Sequence, residues 1–371
     1  MVKKLVKFLV LGTGNAQVDI LEYLHGLPNI QVYALSNAQS GSGMSFVDVF
    51  EVIDITNKQA VLRYVKQNNI DYIYSVGSDV AMPTVMWVAE KLDLKHFVSS
   101  KTADLCNTKH ELRGFLQNIY GSVPFEELLE CLTIQAVSFP AMVKPVDSQG
   151  QRGVSTVNDK NELAVAYEYA IQFSRSRKVI IENKIDGPEI SVNTFMIDGV
   201  LVFFLPSDRL SWEGFDGGVI HKHILPTSLN DKAVKNVHRL VTETLSKLEI
   251  NNGPAYFQIK MTGDIPYLIE VTPRLDGCHM WRLIHETTGV NLLTASVNLL
   301  FGKQVDIIKQ HTIKPGALKF ICQPPNSDFM KPKLNEDNFK YIAYYYEQGD
   351  LVKPMNGKME KCGYVIKVAG L

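Results

Sequence analysis

Two-thirds of the way along a chain of 371 residues runs Tyr256-Phe257-Gln258-Ile259-Lys260-Met261-Thr262-Gly263-Asp264-Ile265-Pro266-Tyr267-Leu268-Ile269-Glu270-Val271-Thr272-Pro273-Arg274. Two alternating runs, Tyr256 to Met261 and Tyr267 to Thr272, flank Thr262-Gly263-Asp264, a pattern that predicts a β-hairpin. If Gln258 pairs with Glu270, Phe257 faces Val271, Ile259 faces Ile269 and Met261 faces Tyr267, giving one apolar face. A slip of one residue would set Phe257 against Glu270 and Gln258 against Ile269, moving side chains to the wrong face. In the favoured register the Cβ atoms of Gln258 and Glu270 lie ~4.5–5.5 Å apart. Thr272 is on the same face two residues on. Such an oxygen cluster suits Mg²⁺, which takes few protein oxygens and keeps places for phosphate and water. Arg274 follows at once, where an arginine can stabilise charge on a transferring phosphoryl group. A merely solvated polar face fits less well with a carboxylate, an amide and an arginine gathered together.

Upstream, Val143-Lys144-Pro145-Val146-Asp147-Ser148-Gln149-Gly150-Gln151-Arg152-Gly153-Val154-Ser155 reads as strand, polar loop, strand. Gly150 and Gly153 let backbone N–H groups approach an anion, and Lys144 adds a point charge for phosphate. The lysine precedes the glycines, so this is not a G-x-x-x-x-G-K-[ST] loop. Alone, the stretch fits an ordinary hairpin with an exposed lysine better. Ile180 to Ser191 holds a strand, a short connector over Glu182, Asn183, Lys184 and Ile185, and a second strand from Glu189. Backbone groups of such a connector can read an adenine edge, and the Glu189 carboxylate can accept two ribose hydroxyls. Taken alone, the stretch fits a surface turn with scattered carboxylates better.

The first hundred residues alternate strand and helix signals. Val6 to Leu11, Ile30 to Leu35, Asp71 to Val76 and His96 to Val98 read as strands. Helical segments reach to His25 and cover Lys58 to Gln67 and Met82 to Leu92. Short buried strands in such alternation predict a parallel sheet covered on both faces. Gly12-Thr13-Gly14-Asn15-Ala16-Gln17 half-matches G-x-G-x-x-G, with Gln17 for the third glycine. The second strand ends in Ser36-Asn37, with no acid for a ribose hydroxyl. A Rossmann-like domain that holds no dinucleotide is the expectation; a nicotinamide-dependent oxidoreductase built on Gly12 and Gly14 is the weaker rival.

From Cys106 to Gly302 strands lengthen and adjoin. Val179 to Glu182, Glu189 to Ile197 and Val200 to Leu205 follow one another, with Asp198-Gly199 as a hairpin turn. Asp231 to Leu248 repeats apolar residues at helical spacing. Gly302 to Thr312 reads as a linker, and the segment from Lys314 as a small α+β appendage. A composition of 46% hydrophobic and 21% charged residues, with net charge −1, excludes a disordered chain and argues against a dedicated nucleic-acid binder. No apolar run approaches the ~18–20 residues of a membrane helix. The Lys3-Lys4 start lacks a signal-peptide pattern. Cys106, Cys131, Cys278, Cys322 and Cys362 show no C-x-x-C spacing and read as small buried hydrophobes in a reducing compartment, implying a cytoplasmic protein without a structural zinc site.

In this order, lysine, glycine-rich loop, strand-end Glu182, Glu189, Gln258, then Glu270-Val271-Thr272-Pro273-Arg274, the chain resembles the ATP-grasp superfamily of carboxylate–amine ligases and carbamoyl phosphate synthetase-like enzymes. The resemblance covers nearly the whole chain. It implies α/β and α+β architecture: a Rossmann-like pre-ATP-grasp domain (1–105), a two-lobed ATP-grasp domain with antiparallel sheets (106–305, lid about 140–185) and a small C-terminal α+β domain (306–371). By the same resemblance ATP and Mg²⁺ are the cofactors. Lys109 and Lys144 touch ATP phosphate, Gly150 and Gly153 belong to the lid loop, Glu182, Asn183 and Ile185 read adenine, and Glu189 holds ribose. Gln258, Glu270 and Thr272 would ligate metal, and Arg274, with Lys144, would be catalytic. Gln258 stands where many relatives have an acid, and Thr272 where asparagine is usual; a hydroxyl is a poorer ligand for a second Mg²⁺.

The stretch after the arginine lines the acceptor pocket in this family, so Asp276 and His279 are substrate candidates. His221 and His223 alternate on a strand and face one side; they too are substrate candidates, a plain strand face being the commoner reading, and no third residue by them suggests a metal site. The implied function is an ATP- and Mg²⁺-dependent ligase that activates a carboxylate as an acyl phosphate for attack by an amine. Its partners would be a small-molecule carboxylate and amine, with neither nucleic acid nor membrane, and a homodimer as the commonest assembly. Phosphorylation of bicarbonate or carbamate, and a non-catalytic ATP-binding module, are the alternatives.

Overall fold

A computed structural model describes residues 5–129, 134–148, 152–212, 220–307, 312–354 and 359–370. Gly150 and Cys131 therefore lie outside the described residues. The elements up to the clasping region are β1 (Val6–Leu11), α1 (Val18–His25), β2 (Ile30–Ser36), β3 (Val49–Val52), α2 (Lys58–Asn68), β4 (Tyr72–Tyr74), α3 (Met82–Lys91), α4 (Ser100–Asn107) and α5 (Lys109–Leu116). β1 to β4 form a parallel sheet of order β3-β2-β1-β4. Its central strand β1 is fully buried from Phe8 to Leu11, as expected of a strand covered on both faces. β3 was not legible as a strand, because two of its four residues are exposed. His96 to Val98, expected as a strand, is irregular chain: Phe97 and Val98 are buried, and Phe97 packs edge-on against Tyr74. Apolar burial there serves packing without a ladder partner.

In the loop after β1, Gln17 fills the place of the third glycine. Its amide donates to the Val76 carbonyl at 2.5 Å, and its carboxamide oxygen lies 3.0 Å from where a Cβ on Gly12 would sit. The loop is thus cross-braced by a side chain.

A small second sheet, order β5-β8-β6-β7, comprises β5 (Phe125–Leu128), β6 (Ala141–Pro145), β7 (Ser155–Val157) and β8 (Val179–Asn183), covered by α6 (Leu163–Phe173). The remaining elements are β9 (Glu189–Ile197), β10 (Val200–Ser211), β11 (Ile220–Leu225), α7 (Asp231–Lys247), β12 (Gly253–Thr262), β13 (Ile265–Thr272), α8 (Met280–Thr288), α9 (Leu292–Leu300), β14 (Gly316–Gln323), β15 (Tyr341–Tyr344) and β16 (Glu360–Val368). Their strands make one antiparallel sheet of order β13-β12-β9-β10-β11-β14-β16-β15. The C-terminal strands therefore extend the large sheet: β14 pairs with β11 from Lys222↔Lys319 to Leu225↔Gly316. α7 starts at Asn230, whose side chain accepts from the Ala233 N–H at 2.9 Å, a cap worth about 1 kcal/mol. It buries Val237, Leu240, Val241 and Leu245, each contributing roughly 1.5–3 kcal/mol.

The β12–β13 hairpin holds the expected register at the end that matters. Gln258 pairs with Glu270 and Phe257 with Val271. Nearer the turn the register shifts by one, so Ile259 faces Leu268 and Met261 faces Pro266 rather than Ile269 and Tyr267. A bulge at Ile269 absorbs the extra residue, letting a two-residue turn at Gly263-Asp264 coexist with the register that opposes Gln258 to Glu270.

Candidate active site

The small sheet contributes cations and the carboxylate that aligns them. Lys144 on β6 forms an ion pair with Glu182 on β8, and Arg113 on α5 donates to the other oxygen of Glu182 at 3.2 Å. Burial by itself would raise the Glu182 carboxyl; Lys144 and Arg113 overcome it and bring it down to about 2. The Glu182 side chain thus anchors two cations. Asn183 accepts from the Ser138 N–H at 3.0 Å. Ile185, partly buried, follows in the connector between β8 and β9.

Lys109 opens α5. Its backbone N–H donates to the Val146 carbonyl and its ammonium to the Ser148 carbonyl, at 3.1 and 2.5 Å. It is thereby fixed beside the start of the glycine-rich loop. Burial lowers its affinity for a proton, Glu270 restores some of it, and Lys144 opposes it. Lys109, Lys144 and Glu270, from three separate segments, therefore share one electrostatic neighbourhood. Gly153, on the far side of the loop, sits at φ +76°, with Phe173 and Pro145 where a Cβ would project.

The large sheet supplies the facing wall. Glu189 opens β9 and is paired with Arg209 of β10; it also accepts from the Gln258 amide at 3.0 Å. Glu270 makes no hydrogen bond or ion pair within 4 Å among the described residues, and burial, then the Asp79 carboxylate, raise its carboxyl. Two residues on, Thr272 Oγ1 is buried without a hydrogen-bond partner. Gln258 uses its NH₂ on Glu189, which leaves its carbonyl oxygen for a cation. A carboxylate, an amide oxygen and an unsatisfied hydroxyl on one face fit a hard cation such as Mg²⁺.

Arg274 is buried and held by Asp79, from the loop after β4, through Nε at 2.7 Å; a second amino group donates to the Leu275 carbonyl at 2.9 Å. Burial would disfavour its charge, but Asp79, Asp276 and Glu270 hold it firmly protonated. A cleft bounded by Asp79, Lys109, Arg113 and Glu270 lies between these elements.

Of the acceptor candidates, Asp276 is buried, with Oδ1 accepting from the Cys278 N–H at 3.0 Å and Oδ2 unpartnered. His223 on β11 is wholly buried, with both ring nitrogens unpartnered, and burial takes its imidazolium down to about 4. His221 lies elsewhere, stacked at 4.0 Å on Trp212. His279 is also set apart. Its Nδ1 bonds Asp19 at 2.6 Å, its Nε2 bonds the Tyr345 hydroxyl at 2.7 Å, and its ring stacks on Tyr364. Both ring nitrogens are therefore committed within the protein.

Arg113, Arg209 and Asp79 were not singled out from sequence. Arg209 could have been sought by counting back from the Asp198-Gly199 turn, but an irregularity between Leu201 and Phe203 shifts its partner by one, from Pro188 to Glu189. Asp79 lies just beyond the carboxyl end of a parallel strand, where ligand-facing residues of such sheets gather.

Residues 137–281 match a family model described as the ATP-grasp domain. The chain is 24% identical over 282 residues to a formate-dependent phosphoribosylglycinamide formyltransferase of Rhodococcus jostii, spanning 72% of this chain and 68% of that protein. A phosphoribosylglycinamide synthetase from Anaerococcus prevotii has a similar fold, with a TM-score of 0.79 at 18% identity over 98% of this chain and 94% of that one. An L-amino acid ligase from Bacillus licheniformis superposes with a TM-score of 0.77 at 21% identity, covering 99% and 94%. No helix among the described residues is long and apolar enough to cross a membrane. The central segment of the chain, residues 137–281, thus matches the ATP-grasp domain, and the fold along its length is shared with a phosphoribosylglycinamide synthetase and an L-amino acid ligase.

Proposed function

We propose that this protein is an ATP- and Mg²⁺-dependent ligase that activates a carboxylate as an acyl phosphate and joins it to an amine through a new C–N bond. The electrostatic coupling of Lys109 to Lys144 and Glu270, and of Glu270 to Arg274, supports this reading. Lys109 and Lys144 would hold the triphosphate, with Gly150 and Gly153 in the loop over it. The connector of Glu182, Asn183 and Ile185 would lie along adenine through its backbone, and Glu189 would take the ribose hydroxyls. Glu270 and Gln258 would hold Mg²⁺, with Thr272 beside them. Mg²⁺, when bound, offsets phosphate charge and orients the terminal phosphoryl group.

The carboxylate oxygen then attacks the γ-phosphorus in line, and ADP leaves. Arg274 stabilises the charge that spreads over the transferred group and stays beside the acyl phosphate. The amine attacks the acyl carbon and inorganic phosphate departs. Positioning and charge neutralisation supply most of the acceleration. Asp276, with His223 beside it, would border the acceptor end; His279, committed to Asp19 and Tyr345, and His221, stacked on Trp212, would not contact the acceptor. The units implied are 1–105, 106–305 and 306–371. Use of ATP, and four described cysteines that are all free of disulfides, suit the cytoplasm.

Gln258 favours a second reading, phosphorylation of bicarbonate or carbamate. Both are separated by one experiment: phosphate release from Mg-ATP with ¹⁸O-labelled carboxylates and amines tested in pairs. Label appearing in phosphate only with a carboxylate and an amine together supports the ligase. ADP formation that needs bicarbonate alone selects the second reading, and ATP left intact by every pair overturns both.

A further inference from the structure

Outside the ATP cleft, three side chains that a cation would satisfy converge behind the post-arginine loop. His223 Nδ1 or Nε2, a carboxylate oxygen of Asp276 and Cys278 Sγ lie within 4.8 Å of one another, all three residues being buried. Both nitrogens of His223 and Oδ2 of Asp276 lack any hydrogen-bond partner. Buried polar groups are almost always satisfied, so three orphaned atoms on two neighbouring residues ask for an occupant.

We infer that His223, Asp276 and Cys278 form a binding site for a divalent transition metal of the zinc class. Imidazole nitrogen, thiolate sulfur and carboxylate oxygen are its preferred donors, and three protein ligands leave a position open. In a tetrahedral site with bonds of about 2.0–2.3 Å, ligand atoms stand about 3.3–3.8 Å apart, so closure needs shifts of about 1 Å. The thiol must lose its proton to solvent as the metal binds. Burial and the Asp276 carboxylate raise the Cys278 thiol, and Lys361, whose ammonium lies 3.6 Å from Sγ, opposes them in part, so the metal itself must draw off the proton. The thiolate and the Asp276 carboxylate then balance the two charges of the ion.

Sequence spacing hid the site, because β11 and the post-arginine loop are more than fifty residues apart in the chain. The hard oxygen set at Glu270 and Gln258 is a different site of different chemistry; Asp276 and His223 also border the proposed acceptor end, so the test is read from metal binding alone, without ATP or acceptor.

The test is titration of the full-length, chelator-treated protein with Co²⁺, followed by its absorption spectrum and by metal analysis of the washed protein. The expected result is a thiolate-to-cobalt charge-transfer band in the near ultraviolet that saturates at one ion per chain and is displaced by Zn²⁺. Cys278→Ser should abolish the band while the far-ultraviolet circular dichroism is kept, and Cys106→Ser, in the ATP cleft, should keep it. His223→Gln should weaken Co²⁺ binding at least tenfold. No band at saturating Co²⁺, or an undiminished band in Cys278→Ser, overturns the assignment whatever the outcome with ATP.

Discussion

Arg274 Nε donates to Asp79 Oδ1 at 2.7 Å, so the side chain assigned to phosphoryl transfer is held by a carboxylate 195 residues away in the N-terminal parallel-sheet region. Both side chains are largely buried, at 7% and 18% exposure. Removing either partner of such a pair strands the other. A double-mutant cycle of Asp79→Ala and Arg274→Ala, read by urea unfolding, should return a coupling of about 1–3 kcal/mol. A coupling near zero would show that the pair does not bind the two regions together.

Arg274→Ala should lower phosphate release by about 10²- to 10³-fold, because it removes a donor aimed at developing charge. Mg-ADP affinity should change by less than about threefold, since Arg274 acts on the transferred group. Steady-state phosphate release and calorimetric titration separate the two. Turnover close to wild type would take Arg274 out of the chemistry.

Gln258 donates its amide to Glu189 at 3.0 Å, so an acid at this position is not a neutral exchange. Gln258→Glu would place a second carboxylate against Glu189. Mg-ADP binding should weaken about tenfold, or 1.4 kcal/mol, with the greater loss at low Mg²⁺. Calorimetry at two Mg²⁺ concentrations checks it. Unchanged affinity at both would place Glu189 and Gln258 outside the nucleotide site.

Glu182 should give the fold a defined acid sensitivity. Its carboxyl sits at about 2 in the folded protein, against 4.5 normally. A depressed carboxyl stabilises the native state fully above its unfolded value, and the gain is lost as pH falls from about 4.5 towards 2. The gain is on the order of 3 kcal/mol. Glu182→Gln should therefore be clearly less stable than wild type at pH 7, with the gap narrowing through this window. Urea midpoints across that range read it, and a pH-independent gap would contradict the pairing with Lys144 and Arg113.

Gly77, at φ +66°, packs against the post-arginine loop. An added Cβ would lie 2.6 Å from the Gly277 Cα and 2.7 Å from the Ala16 Cβ. Gly77→Ala should cost about 1–3 kcal/mol, from backbone strain and overpacking together. Thermal unfolding should show the loss; an unchanged midpoint would mean that this close approach is not part of the folded state.

The parallel first sheet and the hairpin end at Gln258 and Glu270 were legible because burial imposes a period on sequence. β3 was not legible, since half of its short length faces solvent. The Ile259–Ile269 pairing failed because a bulge adds a residue that no alternation records. Lys109 and Glu270, which line the cleft, were legible by kind and order. Asp79, Arg113 and Arg209 were not, because each reaches its place through long-range packing. His279 was expected at the substrate, but both its ring nitrogens are committed to Asp19 and Tyr345, a pairing that depends on α1 and the C-terminal region meeting around it.

The most direct measurement is a crystal structure of the protein grown with Mg-ADP. The phosphates should lie within hydrogen-bond distance of Lys109 and Lys144, the ribose against Glu189, and the ion between the β-phosphate and Glu270. Nucleotide bound outside that cleft, or none bound at millimolar Mg-ADP, would contradict the proposed grip on ATP.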